Sequence, residues 1–542
     1  MKAIYKSLLL TVALAPTLTS CIEEVLPSNV LTEGQVSQSE NAVGAYFFGM
    51  ASFLNNYATI SKSNHYDWGY GSLMHIRDVM TGDMAVRAGG YDWYSNWEQN
   101  SYQGPDYKYC QFIWNYYNQA VLTTNQTIAL IDPENATDNQ LAYLGVALAF
   151  RANHYLDLAR MYEYLPNDKT SPITTMGNDV TGYTVPILTN ETSEKEATNN
   201  PRVPHSEMFE FIESDLQKAE QYIGYGSFDK TQPNLAVVYG LFARLYMWNL
   251  DYAKAAEYAR KAINSFSGSP TTKEQWLDTT TGFNTLSTPS WMWGSQMNKE
   301  DDVVQSGILN WTSWMSNEYL QGYTTANLDA TSPLLSISKD MYDRIDDADF
   351  RKLSFIAPAG SPLYGQSPVI DPQFAASFLQ PYNSLKFRPG QGNMNDYLVA
   401  CADAYPLMRI EEMYFIEAEA TAHQNPSQGA QLLNTFMQNY RYPTYSCKAS
   451  SVEAVVEEIV FQKRVELWGE GQTFFDIKRL NYSVTRNYPG TNFYNECAFN
   501  TNGRPAWMNI CIVVTEQRQN EALVGWNNPD PSDKYEGINA AN

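Results

Sequence analysis

The stretch from Val452 to Leu480 concentrates the residues whose types and spacing could carry out acid–base chemistry. Glu466 and Glu470 are four residues apart, and a glycosidase needs two carboxylates that flank the bond it cleaves. However, two acids at this spacing lie on one side of a single helix and leave no room for a sugar between them. Basic residues lie close by in sequence, namely Lys463, Arg464, Lys478 and Arg479. We therefore predict structural ion pairs between these basic residues and the two glutamates.

A second acidic helix follows the same reasoning, and its acids are Glu411, Glu412, Glu417 and Glu419. Other catalytic signatures are missing from the chain, since it contains no HExxH, GxSxG, Walker or dinucleotide-binding motif. We expect no cofactor, no bound metal and no catalysis. A surface glycoside hydrolase stays open as an alternative from a different class, because glycosidases often have no local motif.

Helical periodicity defines the elements that must position these residues. It predicts helices over about 42–54, 109–131, 141–165, 206–223, 235–263, 405–440 and 452–467. Ser206 is the predicted N-cap of its helix. The segment from Leu235 to Ile263 resembles a tetratricopeptide repeat, with two antiparallel helices and alanines along the inner face of the second. These patterns predict a mainly α fold in which paired helices stack.

Two long segments, 61–104 and 268–400, lack this periodicity and are rich in aromatic residues. Loops of such length inside a compact protein are usually functional. Aromatic rings can stack on the flat faces of sugars, while amide, carboxylate and guanidinium groups bind hydroxyls. The candidate ligand residues are Asp83, Arg87, Tyr91, Trp93, Trp97, Asn100, Trp311, Trp314 and Tyr319. The alternative is that these aromatic residues pack beneath their own loops.

The composition argues against nucleic acid as a partner, because the net charge is −23 and no basic run is present. The spacing of the cysteines does not indicate a metal site. Five cysteines follow Cys21 at wide spacings without a CxxC motif, so neither a zinc site nor a disulfide framework is indicated.

The N-terminal residues 1–20 have the charged, apolar and small-residue regions of a signal peptide. The sequence from Leu18 to Cys21 resembles a bacterial lipobox, which implies cleavage before Cys21 and acylation of that residue. An ordinary secretory cleavage site is the alternative. Residues 21–45 are a predicted tether, and no later apolar run is long enough to cross a bilayer. Glu23 and Glu24, soon after Cys21, are similar to the acidic export signal of surface-exposed bacterial lipoproteins. We therefore expect a protein that is anchored in the outer membrane by lipid and faces the cell exterior.

Several motifs together resemble the SusD/RagB family of outer-membrane nutrient-binding lipoproteins of Bacteroidetes. The C-terminal signature is matched by Arg464, Glu466-Leu467, Trp468, Glu470-Gly471 and Phe475-Asp476-Ile477-Lys478-Arg479. The upstream signature is matched by Tyr405-Pro406, Arg409, Glu412 and Ala418-Glu419-Ala420. Further matches are Arg151, His154-Tyr155, Asp157-Leu158, Glu521 and Asn527-Asn528-Pro529. These matches span nearly the whole chain after the lipobox.

The resemblance implies one SusD-like domain over residues 46–542, with tetratricopeptide-type helices at about 109–265 and 405–468. Loops at about 61–104 and 268–400 would form the ligand face. It also implies a partner, a SusC-like TonB-dependent transporter, to which the lipoprotein delivers an oligosaccharide or polysaccharide without catalysis. In the RagB branch of the family the ligand is a peptide, which is the alternative within the same class.

Overall fold

A computed structural model describes residues 40–86, 92–325 and 332–538. The predicted signal peptide, Cys21 and most of the predicted tether lie outside these ranges. The longer helices are α1 (Glu40–Phe53), α2 (Tyr70–Val79), α4 (Lys108–Ala129), α5 (Asp138–Tyr162), α7 (His205–Tyr222), α8 (Leu235–Trp248), α9 (Tyr252–Ser265), α16 (Ile410–Gln424), α17 (Pro426–Tyr440), α18 (Val452–Glu466) and α19 (Thr473–Leu480).

The remaining elements are short and lie mostly in the two aperiodic segments. The short α-helices are α3 (Ser95–Glu98), α6 (Glu194–Ala197), α10 (Lys273–Trp276), α11 (Asp302–Gln305), α12 (Trp311–Met315), α13 (Lys339–Arg344), α14 (Pro372–Phe378), α15 (Tyr397–Ala400) and α20 (Val514–Gln519). The strands are β1 (Met84–Val86), β2 (Trp291–Gln296), β3 (Leu335–Ile337) and β4 (Ala404–Arg409). Turns of 3-10 helix occur at Ile223–Tyr225, Phe350–Ser354, Gly390–Gly392, Asn495–Cys497, Ala506–Met508 and Glu521–Leu523.

The long helices pack in a continuous series, as the stacked-pair prediction requires. Helix α4 packs on α5, α5 on α7, α7 on α8, α8 on α9, and α9 on α16, which also contacts α17 and α18. Three fully buried alanines of α9, Ala255, Ala259 and Ala262, let its neighbours approach closely. The predicted mainly α fold with stacked helix pairs is confirmed.

Most helix boundaries agree with the predictions to within a few residues, but two predictions are wrong. Residues 404–409, where a helix was predicted to begin at 405, form β4, and the segment 61–104, which was predicted to be irregular, contains α2. A further correction concerns α7. Pro204 is its N-cap and His205 its first residue, and the Ser206 side chain makes no capping hydrogen bond. A proline whose backbone is already extended sets the entry into this helix. None of the helices in the described ranges is long and apolar enough to cross a membrane.

Two antiparallel strand pairs connect the aperiodic segments to the helical body. Strand β1 pairs with β3, with Met84 opposite Ile337, and so joins the segment 61–104 to the segment 268–400. Strand β2 pairs with β4, which leads directly into α16. The pairing of β1 with β3 therefore brings the two predicted ligand regions to the same part of the molecule.

Candidate functional site

The glutamates of the C-terminal signature are buried in a cluster of arginines. Glu466 is fully buried, and its carboxylate accepts hydrogen bonds from Arg441 at 2.7 Å, Arg351 at 3.0 Å and Arg409 at 3.1 Å. Burial alone would raise the pKa of Glu466, but the three guanidinium groups outweigh burial and hold the pKa well below its ordinary value. This carboxylate is neither accessible nor basic enough for catalysis.

Glu470 is also occupied, since it pairs with Lys386 at 2.6 Å and with Arg409 at 2.8 Å. The prediction of structural ion pairs is therefore right for both glutamates, but their predicted partners are wrong. Arg464 pairs with Asp83, at 3.0 Å between Nε and Oδ2, and Lys463 pairs with Asp476 at 2.9 Å. The true partners come from β4 and from loops far away in sequence, which helical spacing cannot indicate.

The acids of α16 connect helices, as predicted. Glu412 pairs with Arg244 of α8, at 2.8 Å between Oε1 and Nε. Glu417 pairs with Arg260 of α9, also at 2.8 Å. In the described ranges, no group of three or more His, Cys, Asp or Glu side chains has an arrangement that could hold a metal ion.

The predicted cluster around α12 is almost completely buried. Trp311, Trp314 and Tyr319 are each at most 1% exposed. Trp311 stacks on Tyr405, with 4.8 Å between ring centroids, and Trp314 stacks on Tyr323 at 4.3 Å. Rings in these positions offer no face to a sugar, so their proposed contact with a ligand is not favoured.

The polar residues around these rings are buried as well. Asn317 donates to the backbone carbonyls of Leu335 at 2.8 Å and Ser384 at 2.9 Å, inside the protein. Thr312 donates to the buried Asp403. These groups satisfy their hydrogen bonds internally, which makes burial of a polar sequence possible.

Three of the other candidates also have structural roles. Asp83 binds Arg464, as described above, and Trp97 packs edge-on against Tyr109 at 4.7 Å. Asn100 has a left-handed backbone and donates to the carbonyl of Pro531 at 2.9 Å, which ties the loop to the C-terminal segment. Arg87 and Tyr91 lie outside the described residues.

Trp93 is the remaining candidate, and it lies where the two aperiodic segments meet. Its half-buried ring lies 4.4 Å from that of His65, which is also half-buried. The His65 ring shares a hydrogen bond with the hydroxyl of Tyr323, whose ring stacks on Trp314. We call Trp93, His65, Tyr323 and Trp314 the aromatic junction. It presents Trp93 and His65 at the surface on a base of buried rings.

A polar groove of about 470 Å³ is lined in part by residues 55–57, which come shortly before His65 in the chain. Tyr57 lies in this groove, eight residues before His65 in the chain, so the Cα atoms of the two residues are at most about 28 Å apart. The groove residues that can bind hydroxyl groups include Asn55, Asn56, Tyr57, Asp229, Gln232 and Gln296. We call these residues the polar groove.

Gln232 is the most informative residue of the polar groove. Its side chain is 2% exposed, and neither its amide oxygen nor its amide nitrogen has a hydrogen-bond partner within the described residues. A buried amide without partners is costly, so a site that leaves both ends free points to a ligand that satisfies them. Sequence reasoning missed this groove because Asn55, Gln232 and Gln296 come from three distant segments without a shared motif.

The stacked helix pairs with long loops place the fold in the tetratricopeptide-like class, and the loops carry the aromatic junction. A family model described as "Starch-binding associating with outer membrane" matches residues 36–247. A second model, described as "SusD family", matches residues 382–518. The chain belongs to the SusD family, which confirms the resemblance drawn from its motifs.

Solved structures agree in fold. A SusD-like carbohydrate-binding protein from Bacteroides vulgatus is 21% identical, with a TM-score of 0.68, and the alignment covers 89% of this chain and 96% of that protein. The surface glycan-binding protein A from Bacteroides fluxus is 15% identical, with a TM-score of 0.63 and coverage of 91% and 99%. A SusD superfamily protein from Bacteroides thetaiotaomicron is 18% identical, with a TM-score of 0.65 and coverage of 90% and 99%. No curated protein matches this chain.

Proposed function

We propose that this protein is a lipid-anchored outer-membrane protein that binds an oligosaccharide or polysaccharide at the cell surface. It delivers the glycan unchanged to a SusC-like TonB-dependent transporter. Membership of the SusD family supports this proposal, as does the similarity in fold to a SusD-like carbohydrate-binding protein and to a surface glycan-binding protein. The signal peptide and the acylated Cys21 are parts of the same proposal.

The aromatic junction is the observation that carries the glycan assignment. A tryptophan ring that is half-exposed and held by packed neighbours offers a rigid apolar face at little entropic cost. The His65 ring beside it extends this surface and adds a polar edge. The polar groove would then bind hydroxyl groups of the same chain of sugars, through amides and a carboxylate.

Affinity electrophoresis in gels that contain candidate polysaccharides tests this site. We expect Trp93→Ala to weaken glycan binding about tenfold, because loss of one stacking contact costs roughly 1.4 kcal/mol. Tyr225→Ala is the matched control, since Tyr225 is 51% exposed and lies outside both the junction and the groove. Equal retardation of the wild type and Trp93→Ala by a glycan that does bind would refute the role of the junction.

Gln232→Leu tests the polar groove separately. Leucine is similar in size and removes an amide that has no partners in the described part of the chain, so the fold should keep its stability. We expect weaker glycan binding with an unchanged melting temperature. Unchanged affinity would remove the groove from the proposal and leave the junction.

The alternatives are distinguished by the products and by the ligand class. Incubation of the protein with the same polysaccharides should release no reducing ends, and any catalytic release would favour a surface glycoside hydrolase. Binding of peptides in place of all glycans tested would favour a RagB-type protein. Co-purification of a TonB-dependent transporter with the tagged protein would support the delivery step.

A further inference from the structure

A second cavity, of about 330 Å³, lies between the end of α8 and helix α19, away from the aromatic junction. It has a strongly cationic wall in a protein whose net charge is −23. The cationic side chains of the wall are Arg160, Arg244, Lys463, Lys478, Arg479 and Arg504. The carboxylates of the wall are Glu163, Glu412 and Asp476. We call this the cationic cavity.

Most of the cations in the wall have a carboxylate partner. Arg244 pairs with Glu412, and Lys463 pairs with Asp476 at 2.9 Å. Two further cations pair with acids that lie behind the wall. Asp157 pairs with Arg160 at 2.6 Å, and Glu419 pairs with Arg479 at 2.5 Å. Lys478 and Arg504 remain, and within the described residues neither forms an ion pair.

Lys478 is buried and has no counter-ion among the residues that the structure describes. It is 3% exposed, and its ammonium group donates one hydrogen bond, to the backbone carbonyl of Met161 at 3.0 Å. Burial lowers the pKa of Lys478 well below its ordinary value; the charge of Glu163 acts against this, while Arg504 and Arg202 reinforce it. The protonated form, which a bound anion would favour, has three donors, so two remain for a ligand.

Further donors at the cavity lack partners. The Nε atom of Arg504 and one terminal nitrogen of Arg479, whose side chain is 8% exposed, have no hydrogen-bond acceptor within the described residues. Glu163 is the carboxylate whose charge acts on both Lys478 and Arg504, but it already accepts hydrogen bonds from His205 and Trp248, each at 2.8 Å. The wall therefore has a local surplus of positive charge and of donors.

We propose that the cationic cavity binds an oxyanion, that is, a carboxylate, sulfate or phosphate group, between Lys478 and Arg504. Such a group supplies the negative charge and the several acceptor oxygens that the wall lacks. The volume would accommodate an inorganic anion or an acidic monosaccharide such as a uronic acid. This site differs from the proposed glycan surface in position and in ligand chemistry.

Thermal unfolding and calorimetric titration of the full chain with sodium sulfate, sodium phosphate, glucuronate and glucose test the proposal. We expect saturable stabilisation by at least one of the anions, none by glucose, and none by sodium chloride at the same ionic strength. Stabilisation by glucuronate would identify an acidic sugar as the source of the oxyanion. Stabilisation by sulfate or phosphate alone would identify a free or esterified inorganic anion.

Lys478→Met provides a variant with two independent readouts. Removal of a buried, unpaired charge should leave the melting temperature without anion unchanged or higher, while the shift on anion addition is lost. Arg504→Gln, which changes a partly exposed residue, should weaken the anion effect at least tenfold. Lys195→Met, at an exposed lysine of α6, is the control and should respond as the wild type does. An absence of saturable anion binding, or equal binding by all variants, would overturn the proposal.

Discussion

At the scale of single residues, Glu466 shows how one buried carboxylate can hold several distant segments together. Its partners Arg351, Arg409 and Arg441 come from a 3-10 turn, from β4 and from the end of α17. Each guanidinium group also donates elsewhere, as Arg441 does to the carbonyl of Thr271 at 3.0 Å. Removal of the shared carboxylate charge would therefore leave three buried cations undercompensated.

We expect Glu466→Gln to lower the free energy of unfolding by roughly 3–5 kcal/mol, the usual cost of breaking a buried ion pair from one side. Urea unfolding followed by circular dichroism measures this difference. Glu457→Gln is the control on the same helix, because Glu457 is 65% exposed and 3.5 Å from Arg344. It should change stability by no more than about 0.5 kcal/mol. Equal stability of the two variants would show that Glu466 does not hold these segments together.

At the scale of secondary-structure elements, the contact of α9 with α8 and α16 depends on small side chains. Ala259 is fully buried in the middle of α9, while Ala253 on the same helix is exposed. A larger residue at position 259 would force the stacked helices apart or into unfavourable rotamers.

We therefore expect Ala259→Leu to reduce the free energy of unfolding by about 1–3 kcal/mol. Ala253→Leu adds the same side chain on the solvent side and should be nearly neutral. Thermal unfolding of the two variants against the wild type measures the effect. If both variants unfolded alike, the close packing of α9 would not depend on alanine.

The elements were predictable from the sequence to the extent that their signals are local. The periodicity of α5, α8 and α9 arises within each helix, so their positions follow from the sequence. Ion-pair partners and burial depend on how distant segments meet. Neither the contact of Glu466 with Arg351 nor the burial of Trp311 has a local signal, because both are decided by tertiary packing.

The candidate site, too, was predictable only where its signals are local. The segment 268–400 is largely irregular, as expected, whereas the segment 61–104 contains the ten-residue helix α2. The pairing of β1 with β3 places the two segments together. Among the candidate aromatic ligand residues that lie in the described ranges, only Trp93 is half-buried, and the others are fully buried. An aromatic residue in a polar sequence has no local feature that separates a stacking surface from a buried contact, and Gln232 has no motif at all.

At the scale of the whole molecule, two sets of buried acids make stability depend on pH in opposite ways. Burial raises the pKa of Asp92 to about 6, and burial together with the charge of Asp92 raises the pKa of Glu98 well above its usual range. In contrast, arginines outweigh burial and hold the pKa values of Glu466 and Asp157 below their ordinary range. The net charge of −23 adds self-repulsion at neutral pH.

Together these four acids favour a maximum of stability near pH 5. The buried His75 and His154 act against the rise in stability below pH 7, because burial lowers their pKa values to about 3 and about 4 and the unfolded chain protonates them first. Between about pH 4.5 and 7 the folded protein binds protons at Asp92 and Glu98 that the unfolded chain has released, so the free energy of unfolding rises as pH falls. Below about pH 4.5 the unfolded chain takes up protons that Glu466 and Asp157 do not accept in the folded state. Stability must then decrease with further acidification. Melting temperatures measured from pH 3 to pH 8 should show both the rise in stability from pH 7 to pH 5 and the decrease below pH 4.5.

Asp92→Asn distinguishes the effect of the raised pKa values from that of the lowered ones, because it removes one group with a raised pKa and leaves Glu466 and Asp157 unchanged. The asparagine cannot ionise and also removes the charge that raises the pKa of Glu98. We therefore expect this variant to be more stable than the wild type at pH 7 and to have a flatter curve between pH 5 and pH 7. The decrease below pH 4.5 should be the same in both proteins. A difference in melting temperature between Asp92→Asn and the wild type that is the same at pH 5 and at pH 7 would contradict the assignment of the raised pKa values to this buried pair.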